Sequence, residues 1–202
     1  MHPNPAFEWT DRAAMLAFVA ERGFAHIFVA APDGPRVAHA PVLVTGEGKA
    51  QFHLARRNRA AEAIAGSRVL LSISELDAYH SANWYASDDQ VPTWHYQAVE
   101  IEGVARAISA DALVAQLDLL SANFEGRFQP DNPWTRAKMD PRRFDAFTRA
   151  ILGFEVDPDS VRGTRKFNQH KAADDLAATV RGQQAAGRED IVAAIREAAG
   201  NE

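Results

Sequence analysis

Trp94, His95 and Tyr96 stand in a row inside Val91-Pro92-Thr93-Trp94-His95-Tyr96-Gln97, offering an indole donor, a titratable imidazole and a phenol within three residues. The run continues as Ala98-Val99-Glu100-Ile101-Glu102-Gly103, where Val99 and Ile101 alternate with Glu100 and Glu102 at the period of a strand. The first half of this strand is more polar and aromatic than a core requires, and a planar guest would suit it. Ahead of it, Tyr79-His80-Ser81-Ala82-Asn83-Trp84-Tyr85 adds aromatics that could wall a flat ligand, with Ser and Asn as directional hydrogen-bonding groups. Core packing uses the same residue types.

Two further segments carry charge. His53-Leu54-Ala55-Arg56-Arg57-Asn58-Arg59 sits at an expected strand end and leads into an expected helix. Guanidinium forks match phosphate oxygens, and free amides at a helix start add donors. A solvated basic surface would read the same way. Gly163-Thr164-Arg165-Lys166-Phe167-Asn168-Gln169-His170 could approach an anion or a polar ring edge, although taken alone it reads as a solvated connector.

Other chemistries lack their signatures. The seven histidines are scattered without an H-x-x-x-H pair or carboxylates at ligand spacing, so no metal site is expected. There is no cysteine, hence no disulfide, thiolate site or thiol nucleophile. Walker, Rossmann and G-x-S-x-G patterns are also missing.

The elements that must position these segments read mainly as strands. Thr10 and Asp11 open a helix that carries Met15, Phe18 and Val19 on one face and stops at Gly23. Ala25–Ala30 and Val37–Val44 form a hairpin around Pro32-Asp33-Gly34-Pro35. Short strands follow at Ala50–Leu54 and Val69–Ile73, then the long one from Thr93 to about Ile108. Ser109 caps a helix bearing Leu113, Leu117, Leu120 and Phe124, and Ile151–Val156 is a further strand, making six or more. After Lys171 the Ala-rich, charged composition predicts two amphipathic helices. The expected fold is α+β, an antiparallel barrel with peripheral helices. Residues 1–170 form its main domain and 171–202 a helical appendage.

The 202 residues, 47% hydrophobic and 24% charged, are enough for a globular core. A net charge of -5 opposes nonspecific attraction to nucleic acid or an anionic membrane. With no signal-peptide pattern at Met1-His2-Pro3-Asn4-Pro5 and no membrane-length apolar run, a cytoplasmic protein is expected.

Taken in order, these segments resemble the FMN-binding negative transcriptional regulator family of PaiB type. His53 to Asn58 follows H-x-A-R-x-N, Tyr79 to Tyr85 follows Y-x-S-x-x-W-Y, Val91 to Tyr96 follows V-P-T-W-x-Y, and Gly163 to Gln169 follows a late G-x-x-K-x-x-Q type. The resemblance spans roughly Pro5 to Asp175. It implies an FMN-binding split β-barrel related to pyridoxamine phosphate oxidases and flavin reductases, usually a homodimer with FMN at the subunit interface. By position, Arg56, Arg57, Asn58 and Arg59 would surround the FMN phosphate, with His53 and Leu54 along the ribityl chain or ring. Trp94, His95, Tyr96 and Gln97 would shape the ring pocket, and Lys166, Asn168 and Gln169 would close it.

The chain departs from the family at three places. Ala86-Ser87-Asp88 replaces Pro-Ser-Lys, Arg59 replaces a Pro after Asn58, and Lys166-Phe167-Asn168-Gln169-His170 replaces Lys-x-Ser-Gln-Asn. The resemblance implies a regulator acting through flavin. No helix-turn-helix pattern is present, and an acidic chain is a poor direct reader of DNA. The alternative is an FMN-dependent oxidoreductase acting on a small molecule, with the catalytic residue unassigned. A haem-binding split barrel is a third class, selected by no sequence feature.

Overall fold

The computed structural model describes residues 2–200. In chain order its elements are β1 (Glu8–Trp9), α1 (Arg12–Arg22), β2 (Phe24–Ala31), β3 (Gly34–Val44), β4 (Ala50–Ala55), α2 (Ala61–Ile64) and β5 (Arg68–His80). There follow β6 (Thr93–Ala107), α3 (Ala110–Phe128), α4 (Pro141–Arg149), β7 (Ile151–Val156), β8 (Ser160–Lys166), α5 (Ala173–Ala185) and α6 (Glu189–Ala198). They divide into two compact units. One contains Arg12–Ile73 and Glu100–Val161, and the other contains residues 1–11, Ser74–Val99 and Arg162–Glu202.

The first unit is the barrel. Its strands run in the order β6-β5-β2-β3-β4-β7, and β7 pairs back onto β6, which closes the ring. Closure removes the open edges that an antiparallel sheet would otherwise expose. The hairpin of β2 and β3 is in register from Phe24 opposite Pro41 to Ala31 opposite Gly34, and Gly34 supplies the positive φ of its turn. Strand alternation fills the interior, because Ile27, Val29, Phe52, Leu54, Leu71 and Val156 all point inward and are buried. Phe52 and Phe154 stack there with centroids 5.3 Å apart. Outside, α3 starts where the sequence places it, with Ser109 Oγ accepting the Ala112 amide at 3.2 Å. It packs over Gly153, where a Cβ would come within 2.7 Å of Ile108.

The second unit is built on the outer half of β5, the first half of β6, and the β1–β8 pair, with Glu8 opposite Thr164 and Trp9 opposite Gly163. Its apolar centre is Ala78, Phe167, Ile191, Ala194 and Ile195. Two expectations change here. The segment Gly163–Lys166 is the end of a strand, β8, although Ser160–Lys166 alternates too weakly to be recognised as one. Strand β5 also runs seven residues past Ile73 to His80, through Leu76 at φ 61, so Tyr79 and His80 lie on a strand.

Candidate functional site

The site residues expected from sequence fall in both units. In the barrel unit, β4 alternates. Leu54 is buried in the interior opposite Leu152, while His53 lies on the other face opposite Gly153. Burial holds the His53 imidazole below its usual pKa, and its Nδ1 has no hydrogen-bond partner among the described residues. The next residues divide their work. Arg56 Nε donates to the Arg149 carbonyl at 2.6 Å and its amide donates to Ala150 O, which places a cation at the carbonyl end of α4. Asn58 Oδ1 accepts the Ala60 amide at 2.9 Å and its carbonyl accepts that of Ala61, shaping the turn into α2. Arg59 lies 3.9 Å from Asp33, and its carbonyl is held by Arg36. Arg57 is exposed and carries no ion pair or hydrogen bond among the described residues. It is the free guanidinium of the cluster. Arg56 also lines a cleft of about 160 Å³ with Ser109, Thr148 and Arg149.

In the second unit, the period of two splits the Trp94–Gln97 run between two faces of β6. Trp94, 54% exposed, and Tyr96 share one face, and Tyr79 of β5 meets Trp94 edge-on at 5.9 Å. His95 and Gln97 turn the other way and are buried. One flat ligand therefore cannot lie against all four side chains.

The buried face is an aromatic box. His95 stacks on His80 with centroids 5.0 Å apart and planes inclined by 24°. Trp84 and Tyr85 meet His80 edge-on, and Phe167 meets His95. Both imidazoles are fully buried, and neither His95 nitrogen finds a hydrogen bond among the described residues. His80 Nε2 lies 3.5 Å from Thr179 Oγ1, and its Nδ1 has no partner among the described residues. Burial, with Lys171 nearby, pulls His80 down to about 4. Burial, then His80 and Lys166, pulls His95 to about 3. The pair is neutral at pH 7.

The late segment is tied into this unit. Lys166 Nζ donates to Thr93 Oγ1, and burial lowers its pKa. Asn168, in the left-handed region at φ 64, donates to Tyr85 Oη at 2.9 Å. Gln169 closes its own turn, accepting the Phe167 amide and donating to Arg165 O. Arg165 in turn holds Gln97 at 3.0 Å and Glu197 at 2.7 Å. All three expected pocket-closing residues thus have intramolecular partners.

Sequence reasoning passed over Asp175, Thr179 and Gly182 on α5. Asp175 Oδ1 accepts the amides of Ala86 and Ser87, both at 2.9 Å, and Oδ2 accepts the Ser87 hydroxyl at 2.7 Å. These bonds, that of the Ser87 hydroxyl first, hold its carboxyl below the usual range. The altered Ala86-Ser87 segment is therefore anchored by a carboxylate far away in sequence, which no local pattern reveals. Gly182 touches the Trp84 indole so closely that a Cβ would fall 2.5 Å from Cδ2. Gly182→Ala is accordingly expected to cost about 1–3 kcal/mol through overpacking, outweighing the helix-propensity gain of about 1 kcal/mol. A fall in the urea midpoint with an unchanged slope checks it.

Within the barrel unit the Arg57 guanidinium is exposed without a partner among the described residues, and within the other unit Tyr79 and Trp94 form an exposed aromatic face. Residues 1–160 match the family model described as "Putative FMN-binding domain". The chain belongs to this family. It is an FMN-binding split-barrel protein. It is 28% identical over 171 residues to the protease synthase and sporulation protein PAI 2 of Bacillus subtilis, covering 82% of this chain and 80% of that one. Two solved structures share the fold. The FAD and haem binding protein from Mycobacterium smegmatis has a TM-score of 0.59 at 18% identity, over 85% of this chain and 79% of its own. The flavocytochrome Anf3 from Azotobacter vinelandii has a TM-score of 0.62 at 14% identity, over 82% and 72%. Among the described residues no helix is long and apolar enough to cross a membrane, and no group of three or more His, Cys, Asp or Glu could hold a metal.

Proposed function

We propose that this FMN-binding protein is a cytoplasmic, PaiB-type negative regulator in which residues 1–170 carry the flavin site, while α5 and α6, which the sequence suggests as an appendage, complete the core of the second unit. The observation that carries the cofactor reading is the outward aromatic face of Tyr79, Trp94 and Tyr96, which is costly to leave in water and shaped to stack a planar ring. Tyr79, Trp94 and Tyr96 are the surface for the isoalloxazine within their unit, and within the barrel unit Arg57 and Arg59 are the cations for a phosphate. His53, on β4 ahead of these arginines, has its Nδ1 buried and unpartnered among the described residues. Arg56, Asn58, Lys166, Asn168 and Gln169 hold their segments in shape, and Leu54, His95 and Gln97 support from behind. The regulatory role rests on the PAI 2 relative. Bleaching of bound FMN by NAD(P)H without oxygen would replace it with an oxidoreductase.

A homodimer is the assembly that suits the barrel. The outer face of β2 and β3 carries Phe24 and Phe28, 47% and 40% exposed, opposite Pro41 and Val37. His26 and His39 meet edge-on between these two apolar pairs, and a face of exposed aromatic and imidazole rings of this kind is a usual protein contact. A solution mass of one chain with FMN bound would remove the dimer. For the ring, Trp94→Ala is expected to weaken FMN binding about tenfold or more, since one aromatic stack contributes about 1–3 kcal/mol. An unchanged dissociation constant in fluorescence titration would take this face out of the site.

A further inference from the structure

Helix α5 has more apolar surface than its packing uses. Its buried stripe is Asp175, Ala178, Thr179, Gly182 and Gln183. One such stripe is what a surface helix needs. A second stripe, at Ala173, Leu176, Ala177 and Val180, faces a groove of about 630 Å³ between α5 and α6. Leu176, Val180 and Ile195 form the floor of this groove, backed by the core of Phe167, Ile191 and Ala194. Ala173, Ala177 and Ala199 leave the space open where larger side chains would fill it.

Arg181 and Arg196 stand at this groove without an ion pair or hydrogen bond among the described residues. Their helical neighbours explain why. The positions three and four residues away are Ala177, Ala178, Gln184 and Ala185 for Arg181, and Val192, Ala193, Ala199 and Gly200 for Arg196, so no carboxylate is within intrahelical reach. In a chain of net charge -5, two uncommitted guanidiniums beside an apolar floor are complementary to one kind of guest. Its volume falls in the range of roughly 300–1,000 Å³ typical of small-molecule sites.

We propose that the α5–α6 groove binds a small amphiphilic carboxylate, an aromatic or medium-chain aliphatic acid. Its apolar body lies on Leu176, Val180 and Ile195, and its carboxylate meets Arg181 and Arg196. The site lies beyond the residues matched by the FMN-binding family model and does not depend on the flavin reading.

Calorimetric titration of the full-length protein with decanoate, 2-naphthoate, decanol and decylamine tests it. The two acids are expected to bind saturably at one site per chain, at least tenfold tighter than the alcohol, with the amine weaker still. Arg181→Gln with Arg196→Gln should weaken decanoate at least tenfold, and Ala177→Leu, which fills the groove, should abolish binding while leaving the far-ultraviolet circular dichroism unchanged. Arg57→Ala should leave decanoate binding as it was, which separates this site from any anion site in the barrel unit. Equal binding of acid and alcohol, or undiminished binding in the paired arginine variant or in folded Ala177→Leu, would overturn the proposal.

Discussion

Lowering the pH from 7 to 4.5 is expected to remove about 4–5 kcal/mol of folding stability through His80 and His95 alone, at about 1.4 kcal/mol per pH unit for each ring. The sign follows from burial. Folded pKa values of about 4 and about 3 lie below the unfolded value of 6.5, so between those limits only the unfolded chain takes up the protons. The contribution is complete above pH 6.5 and disappears as the pH falls towards the folded values. Against total stabilities of about 5–15 kcal/mol, this decides whether the second unit stays folded in mild acid. Asp175 acts in a lower window. Its depressed carboxyl stabilises the fold above the ordinary carboxylate range and loses that effect as the pH falls through its folded value. Urea unfolding at half-unit pH steps measures the slope. Assigned His80 and His95 ring-proton resonances that titrate near 6.5 in the folded protein would contradict it, and this readout needs no variant that might fail to fold.

Arg57→Ala is expected to weaken FMN binding about 10- to 100-fold, because a charge-assisted phosphate bond contributes about 1.5–3 kcal/mol. Its guanidinium has no partner among the described residues, so its removal leaves nothing there unsatisfied and the unfolding midpoint stays where it was. Arg56→Ala should behave differently. Arg56 closes the carbonyl end of α4 through Arg149 O, so its loss lowers the unfolding midpoint whether or not FMN is present. The contrast between the two neighbours separates a ligand-binding cation from a structural one. Equal losses of FMN affinity and stability in both variants would show that the cluster acts as one structural unit.

The barrel was legible because its strands announce themselves locally. The hairpin of β2 and β3, the long β6 and the Ser109 cap of α3 all fall where alternation, turn residues and capping chemistry place them. What escaped was non-local. Strand β8 is polar and is recognisable by its pairing with its neighbours in the sheet, Glu8 and Trp9 of β1 among them. The histidines that stack on each other belong to different motifs, and nothing in either motif gives the other as a partner. Within the Val91–Gln97 run the strand begins at Thr93, two residues after the run opens, and its own period divides it. Trp94 and Tyr96 belong to an open face, whereas His95 and Gln97 belong to a sealed one. A resemblance can carry residue types forward position by position. The side of the strand on which each one lies has to come from the alternation.

The central claim is that this chain holds FMN, and titrating FMN with the purified protein tests it most directly. Flavin fluorescence should be quenched to saturation at one FMN per chain, with quenching much weakened in the Arg57→Ala and Trp94→Ala variants. Flavin fluorescence that stays unquenched at protein concentrations well above micromolar, at neutral pH where His80 and His95 are uncharged and the fold intact, would contradict it.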